Sequence, residues 1–220
     1  GRPLSPAKQK LLQEFYPEIS VPTPKDAQQV INPRALFPET VEQIWFEIGF
    51  GDGGHLYERL KAEPNNAFIG AEPFLNGVVT LLSQLKRETA DRQNRARLWK
   101  DDAILLLQHF ANESLDGFYI LNPDPWPKTR HHKRRIVNEE SLDLFARILK
   151  PGGTLMMTTD VDDLAEWMVT RSMLHPRFSW TARSYHDWRE APHNWIATKY
   201  ETKGANHSSR QQTYLRFIKK

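Results

Sequence analysis

From Gln43 onward the chain alternates short apolar runs with amphipathic segments, and this alternation constrains the fold more than any other feature. Ile44-Trp45-Phe46-Glu47-Ile48 reads as a buried strand, followed by a glycine-rich turn and a helix over residues 55–62. A strand over 67–71, a helix over 74–88, a strand over 96–99 and a helix over 103–110 continue the series. Phe118-Tyr119-Ile120-Leu121 reads as the fourth strand, before a proline-rich loop and a helix over 139–149. Lys150-Pro151-Gly152-Gly153 reads as the stop signal of that helix. A strand over 154–159, a helix over 160–174 and strands over 178–182 and 213–218 complete the pattern. Regular βα alternation predicts an α/β fold, an open and mostly parallel sheet with helices on both faces. Residues 1–40 differ, holding seven of the fifteen prolines. A short helix over 7–16, with Leu11, Leu12 and Phe15 on one face, is expected to lead into an extended arm over 17–38. The expected division is therefore an N-terminal helix and arm over 1–40 and one domain over 41–220.

Charge and composition narrow the chemistry. There are no cysteines, which removes disulfides, thiolate nucleophiles and cysteine-ligated metal sites. The longest aliphatic run, residues 103–107, is far too short to cross a bilayer. The first residues, Gly1-Arg2-Pro3, open no signal-peptide apolar region, so the expectation is a soluble, cytoplasmic protein without membrane association. The net charge is only +3, yet residues 84–100, 128–135 and 167–220 carry +4, +5 and +7. The densest block, Lys128 to Arg135, holds five cations and no acid in eight residues. Such a block reads either as a solvated face or as a contact for a polyanion that relieves its self-repulsion.

In an open α/β sheet ligands bind beyond the carboxyl ends of the strands, so the loops there come first. After the first strand runs Glu47-Ile48-Gly49-Phe50-Gly51-Asp52-Gly53-Gly54. Gly49, Gly51 and Gly54 match a dinucleotide fingerprint, and Glu72, 23 positions after Gly49, matches a ribose-binding acid. Glu47 and Asp52 would repel a pyrophosphate, whereas S-adenosylmethionine (AdoMet) brings a sulfonium and an ammonium and no phosphate. The turn therefore suits AdoMet better than a nicotinamide dinucleotide. Asp102 reads as a helix N-cap and as a contact for an adenine edge. Asn122-Pro123-Asp124-Pro125-Trp126-Pro127-Lys128 is stiffened by alternating prolines and presents an acid and an aromatic suited to a flat heterocycle. His131 and His132 lack a third spaced ligand, so no metal site is expected.

Several segments together carry a specific resemblance. Glu47–Gly53, Gly70-Ala71-Glu72, Asn122–Lys128 running into Arg130-His131-His132-Lys133-Arg134-Arg135, Leu149–Gly153, Thr159-Asp160 and Thr198–Gly204 occur in this order. The series resembles the bacterial tRNA (guanine-N7-)-methyltransferase family over about residues 43–220. The resemblance implies a Rossmann-like, seven-stranded AdoMet-dependent methyltransferase fold that forms 7-methylguanosine in the tRNA variable loop. It implies AdoMet contacts at Glu47, Gly49, Gly51, Gly53, Glu72, Asp102 and Asp124, with Asp124 also the catalytic acid. Lys128, Asp160, Thr198, Lys199, Tyr200 and Glu201 become substrate contacts, and Arg130, His131, His132, Lys133, Arg134 and Arg135 the RNA-contacting stretch. tRNA is the implied partner, with no obligate protein partner. Asn122 stands where the family usually has Phe, and Thr129 where Lys is frequent. Asn122-Pro123-Asp124-Pro125-Trp126 half-resembles the loop of amino-methyltransferases, which keeps transfer to an exocyclic amine as the alternative. A nicotinamide oxidoreductase would leave Asp124 and the basic block without use. A non-catalytic RNA-binding module would leave the cofactor turn without use.

Overall fold

The computed structural model describes residues 3–204 and 211–220. Seven strands form one sheet in the order β3-β2-β1-β4-β5-β7-β6. They are β1 (Gln43–Ile48), β2 (Asn66–Ala71), β3 (Ala96–Trp99), β4 (Leu115–Leu121), β5 (Leu149–Thr159), β6 (Phe178–Trp180) and β7 (Thr213–Lys219). β1 to β5 are mutually parallel, and β7 lies antiparallel between β5 and β6. The strand order reverses between β1 and β4, and a crevice opens beyond their carboxyl ends at that reversal.

The five principal helices are α1 (Gly54–Ala62), α2 (Leu75–Leu85), α3 (Ala103–Leu107), α4 (Glu139–Ile148) and α5 (Asp162–Leu174). Strand alternation sends Phe46, Ile69, Phe118, Leu155 and Phe217 into a layer with α3, α4 and α5. Phe68, Tyr119, Leu121 and Met156 face the other way, onto α1 and α2. The helix-covered, mostly parallel sheet is the one that the βα alternation predicts.

Three boundaries depart from the sequence pattern for physical reasons. The N-terminal helix does not end at Tyr16 but runs over residues 6–19, because a π-turn over Leu11–Phe15 precedes Pro17. Pro17 then sits at the start of a new helical turn, where its missing N–H costs nothing. The helix after Asp102 stops at Leu107 instead of residue 110. Ile31 donates to the His109 carbonyl at 2.8 Å and Ala111 to the Ile31 carbonyl at 2.9 Å, so the arm captures that backbone. Lys150–Gly153 is not a loop between elements but a bulge inside β5: Leu115 pairs with Leu149, and the next pair joins Gly117 to Thr154. Gly152, at φ +78°, makes that excursion possible.

Residues from the first forty are built into both layers: Val21, Ile31 and Phe37 in one, Phe15, Tyr16 and Ile19 in the other. Three cations of the basic block over 84–100 meet the aromatic rings of this segment. Lys86 lies 4.4 Å from the Phe15 ring centre, Lys100 4.8 Å from Tyr16, and the Arg97 guanidinium 5.2 Å from Phe37. Among the described residues no helix is long and apolar enough to cross a membrane.

Candidate active site

The crevice has two lobes that share Gly49, Leu121 and Asn122. The smaller, about 380 Å³, is lined by Glu47, Asp52, His55, Thr198, Lys199 and Tyr200 among others. The larger, about 630 Å³, is bordered by Glu72, Phe74, Asp102, Asp124, Trp126 and Arg134. The turn between β1 and α1 separates them, with Gly49, Gly51 and Gly53 at φ +69°, +59° and +78°. These values favour glycine, which explains its spacing in the loop.

Each lobe holds a buried carboxylate. Glu47, 3% exposed on β1, has its Oε2 2.8 Å from His55 Nδ1, at hydrogen-bond distance. Glu72, 4% exposed after β2, accepts Gly51 N–H on Oε2 and Phe74 N–H on Oε1, each at 2.8 Å. Burial raises the Glu72 carboxyl pKa, the two backbone N–H groups pull it back, and the nearby Asp124 charge adds to the rise. Asp102 caps α3, accepting Ile104 N–H at 2.8 Å, and so fills the role expected from its position while bordering the larger lobe. Gly77 in α2 is a residue that sequence reasoning missed. A Cβ there would lie 2.0 Å from the Gly51 carbonyl oxygen and 3.3 Å from Glu72 Cγ, so only glycine lets α2 close on the turn. Its sequence signal is an isolated glycine inside an apolar helical run.

The loop after β4 carries Asp124 exposed at the rim, between Asn122 at φ +48° and Trp126 at φ +42°. Both conformations are uncommon outside glycine. Asn122 is locked through both ends of its amide: Oδ1 accepts from Gln212 at 2.7 Å, and Nδ2 donates to the Thr198 hydroxyl at 3.4 Å. Thr198 in turn donates to Glu201 at 3.1 Å, and Trp195 Nε1 donates to Glu201 at 2.9 Å. Glu201 stands beside the Tyr214 phenol, whose pKa is pushed up to about 12 by burial and by that carboxylate's charge. Lys199 reaches back across the cleft to Asp52 at 2.8 Å, and the Tyr200 hydroxyl lies 3.5 Å from Asp160. The segment over 198–201 is thus tied to the glycine turn, to the loop after β4 and to the end of β5.

Lys128 to Arg135 folds as a 3-10 turn over Thr129–Arg134, and its threefold period sorts the basic block into faces. Lys128, Arg130, Lys133 and Arg134 are exposed. His131 and Arg134 lie against Trp126, at 5.9 and 5.0 Å from its ring centre. His132 and Arg135 turn inward onto Trp167, at 5.4 and 5.0 Å. Arg135 corrects the expectation of a uniform RNA-contacting stretch, because it is only 1% exposed. Its Nε donates to the Pro125 carbonyl at 3.0 Å and its Nη2 pairs with Asp163. Its place in a charge run concealed that anchoring role. Among the described residues no cluster of His, Asp and Glu has the geometry to hold a metal ion.

The family model described as "Putative methyltransferase" matches residues 41–214. A tRNA (guanine-N(7)-)-methyltransferase of Rhodospirillum rubrum is 39% identical over 218 residues, 99% of this chain and 84% of the relative. One of Azorhizobium caulinodans is 41% identical over 219 residues, 100% of this chain and 92% of the relative. The chain belongs to the bacterial tRNA (guanine-N(7)-)-methyltransferase family. The wider fold of these methyltransferases recurs in distant solved structures. The aminoglycoside resistance methyltransferase NpmB1 matches with a TM-score of 0.58 at 16% identity, covering 87% of this chain and 95% of that one. The 16S rRNA (adenine(1408)-N(1))-methyltransferase of Catenulisporales acidiphilia also gives 0.58 at 16% identity, covering 91% and 96%. The seven-stranded sheet expected from the family resemblance is therefore the fold of this chain.

Proposed function

We propose that this protein transfers a methyl group from AdoMet to N7 of a guanine in the tRNA variable loop. The observation in this chain that carries the reading is a juxtaposition. Asp124 stands on a stiffened loop between an acid-lined crevice and a basic turn that exposes Lys128, Arg130 and Lys133. The full-length relatives named for this activity support the choice of acceptor.

The donor set fits AdoMet and not a dinucleotide. Glu47, Glu72, Asp102 and Asp124 line the two lobes, and the cations beside them, Lys199 and Arg134, are respectively paired with Asp52 and laid on Trp126. A pyrophosphate would meet this acidic wall, whereas a cationic cofactor is attracted by it. Glu47 would take the ammonium, Glu72 the ribose hydroxyls and Asp102 the adenine edge, with Gly49, Gly51 and Gly53 allowing close backbone approach. AdoMet supplies the electrophilic methyl group when bound. Guanine N7 has an in-plane lone pair and no proton, so the chain supplies no base to create the nucleophile. Its work is to hold the base in line, with Asp124 favouring the positive charge that develops on the purine. Lys128, Asp160 and the segment over 198–201 frame the acceptor side. Residues 41–220 would then form the catalytic domain, and the helix and arm over 1–40 a strap along it. A tRNA substrate places the enzyme in the cytoplasm.

The exocyclic-amine alternative would use the Asn122 carbonyl as acceptor for the amine. That oxygen accepts from Gln212 on one of its two lone pairs, so the amine would have to share it. The test is methylation of bulk tRNA with labelled AdoMet, followed by nucleoside mass spectrometry. 7-Methylguanosine is expected, and label on an exocyclic amine would overturn the reading. Asp124→Ala should abolish transfer while tRNA affinity stays within about twofold; retained turnover removes Asp124 from the mechanism.

A further inference from the structure

His55 has no role in the reading above, yet it is among the most enclosed polar groups of the crevice. Its side chain is 2% exposed, its Nδ1 lies 2.8 Å from Glu47 Oε2, and its Nε2 is buried without a partner. A residue present for packing alone would be apolar here, because a buried imidazole nitrogen without a partner destabilises the fold. The retained imidazole therefore points to what Nδ1 does. Glu47 is a buried carboxylate, and a buried carboxylate without a donor either protonates or turns toward another one. The contact with Nδ1 fixes one carboxylate oxygen and sets the direction of the other beside the smaller lobe, which both residues line. The ring is itself held by packing, edge-on to Tyr119 at 4.9 Å and against Trp195 at 5.8 Å. The donor is thus pre-organised before any ligand arrives.

We infer that His55 is a positioning residue, acting through Glu47, that aims a fixed negative charge at the ammonium of the cofactor's amino-acid end. The inference rests on the AdoMet reading and assigns the smaller lobe to the methionine portion. Two ligands separate it from a general structural role. S-Adenosylhomocysteine carries the amino-acid end, whereas 5′-methylthioadenosine has the same nucleoside and thioether without it.

The experiment measures calorimetric affinities of both ligands for the wild type, His55→Phe and His55→Asn. Phe keeps a ring but removes the donor, and Asn places an amide N–H near the position of Nδ1. His55→Phe should weaken S-adenosylhomocysteine by about tenfold or more, the scale of a lost charge-assisted hydrogen bond. Methylthioadenosine affinity should stay within about twofold, and His55→Asn should recover most of the loss. Unchanged S-adenosylhomocysteine binding by His55→Phe overturns the inference. So does an equal loss of both ligands, which marks a packing role, or an Asn variant no better than Phe. A wild-type protein that binds neither ligand overturns the AdoMet reading itself, and His55's role with it.

Discussion

Arg135→Met isolates the anchor of the loop after β4. Methionine keeps an unbranched stem against Trp167 but loses the guanidinium, which lies 5.0 Å from that ring and donates to the Pro125 carbonyl at 3.0 Å. Loss of a hydrogen bond from a charged group costs about 1.5–3 kcal/mol. The ion pair adds little, because Asp163 is 64% exposed and stays solvated once its partner is gone. The loss falls on a loop holding two non-glycine residues at positive φ, Asn122 and Trp126, and such conformations persist only where their surroundings impose them. If the loop relaxes by that free energy, the competent population falls roughly 10- to 150-fold, and the single-turnover methylation rate falls with it. Arg135 is buried, so tRNA affinity and its salt dependence should barely change. The assay pairs single-turnover methylation with tRNA binding at several salt concentrations. An undiminished rate combined with a salt slope flatter by about one unit would make Arg135 a phosphate contact and refute the anchoring argument.

The solvent-facing cations should behave oppositely: Arg130→Ala with Lys133→Ala should flatten the salt slope by about two units if each meets one phosphate, with little effect on rate at saturating tRNA. Gly77→Ala should lose about 1–3 kcal/mol of unfolding free energy in denaturant titrations and weaken cofactor binding, since its Cβ would lie 2.0 Å from the Gly51 carbonyl oxygen. An Ala variant that binds the cofactor normally would show that α2 can retreat without moving the turn. Glu72 gives a pH signature, because its pKa is raised above the ordinary 4.5, chiefly by burial. Ionisation then costs the folded state more than the unfolded one, so the wild type should lose stability relative to Glu72→Gln as pH rises from the ordinary carboxylate range through the raised value. Denaturant titrations of both proteins across that interval check the sign, and a wild type that holds or gains stability relative to Glu72→Gln refutes it.

Local patterns carried most of the fold and much of the candidate site. β3 occupies Ala96–Trp99, the four residues that its apolar alternation marks, and the acids Glu47 and Glu72 sit beside the glycine turn as their spacing implied. What escaped depends on contacts distant in sequence. Charge counting grouped Lys128 to Arg135, but a 3-10 turn with Trp126 on one side and Trp167 on the other divides them. Residues 84–100 counted only as a basic block, and nothing local shows that Lys86, Arg97 and Lys100 meet the aromatic rings of the N-terminal segment. Lys150–Gly153 has the composition of a helix stop, and only the β4 register places it within a strand. Asn122 departed from the family pattern with no local explanation, and its partners Thr198 and Gln212 lie 76 and 90 positions away.

The placement of β7 also bears on how the molecule is made. Among the described residues β6 pairs only with β7, and β7 is the last strand in chain order while lying one place inside the sheet edge. During synthesis the strands flanking the cofactor turn can pair as they emerge, but β6 has no sheet neighbour until β7 is inserted against β5. Residues 198–201 belong to the connection between these two strands, and Gln212, which holds Asn122, immediately precedes β7. In the proposed function this segment is the acceptor side, which would then be the last part of the machinery to be fastened. On that reading, a nascent chain with a finished glycine turn would not yet be able to engage a nucleic acid productively.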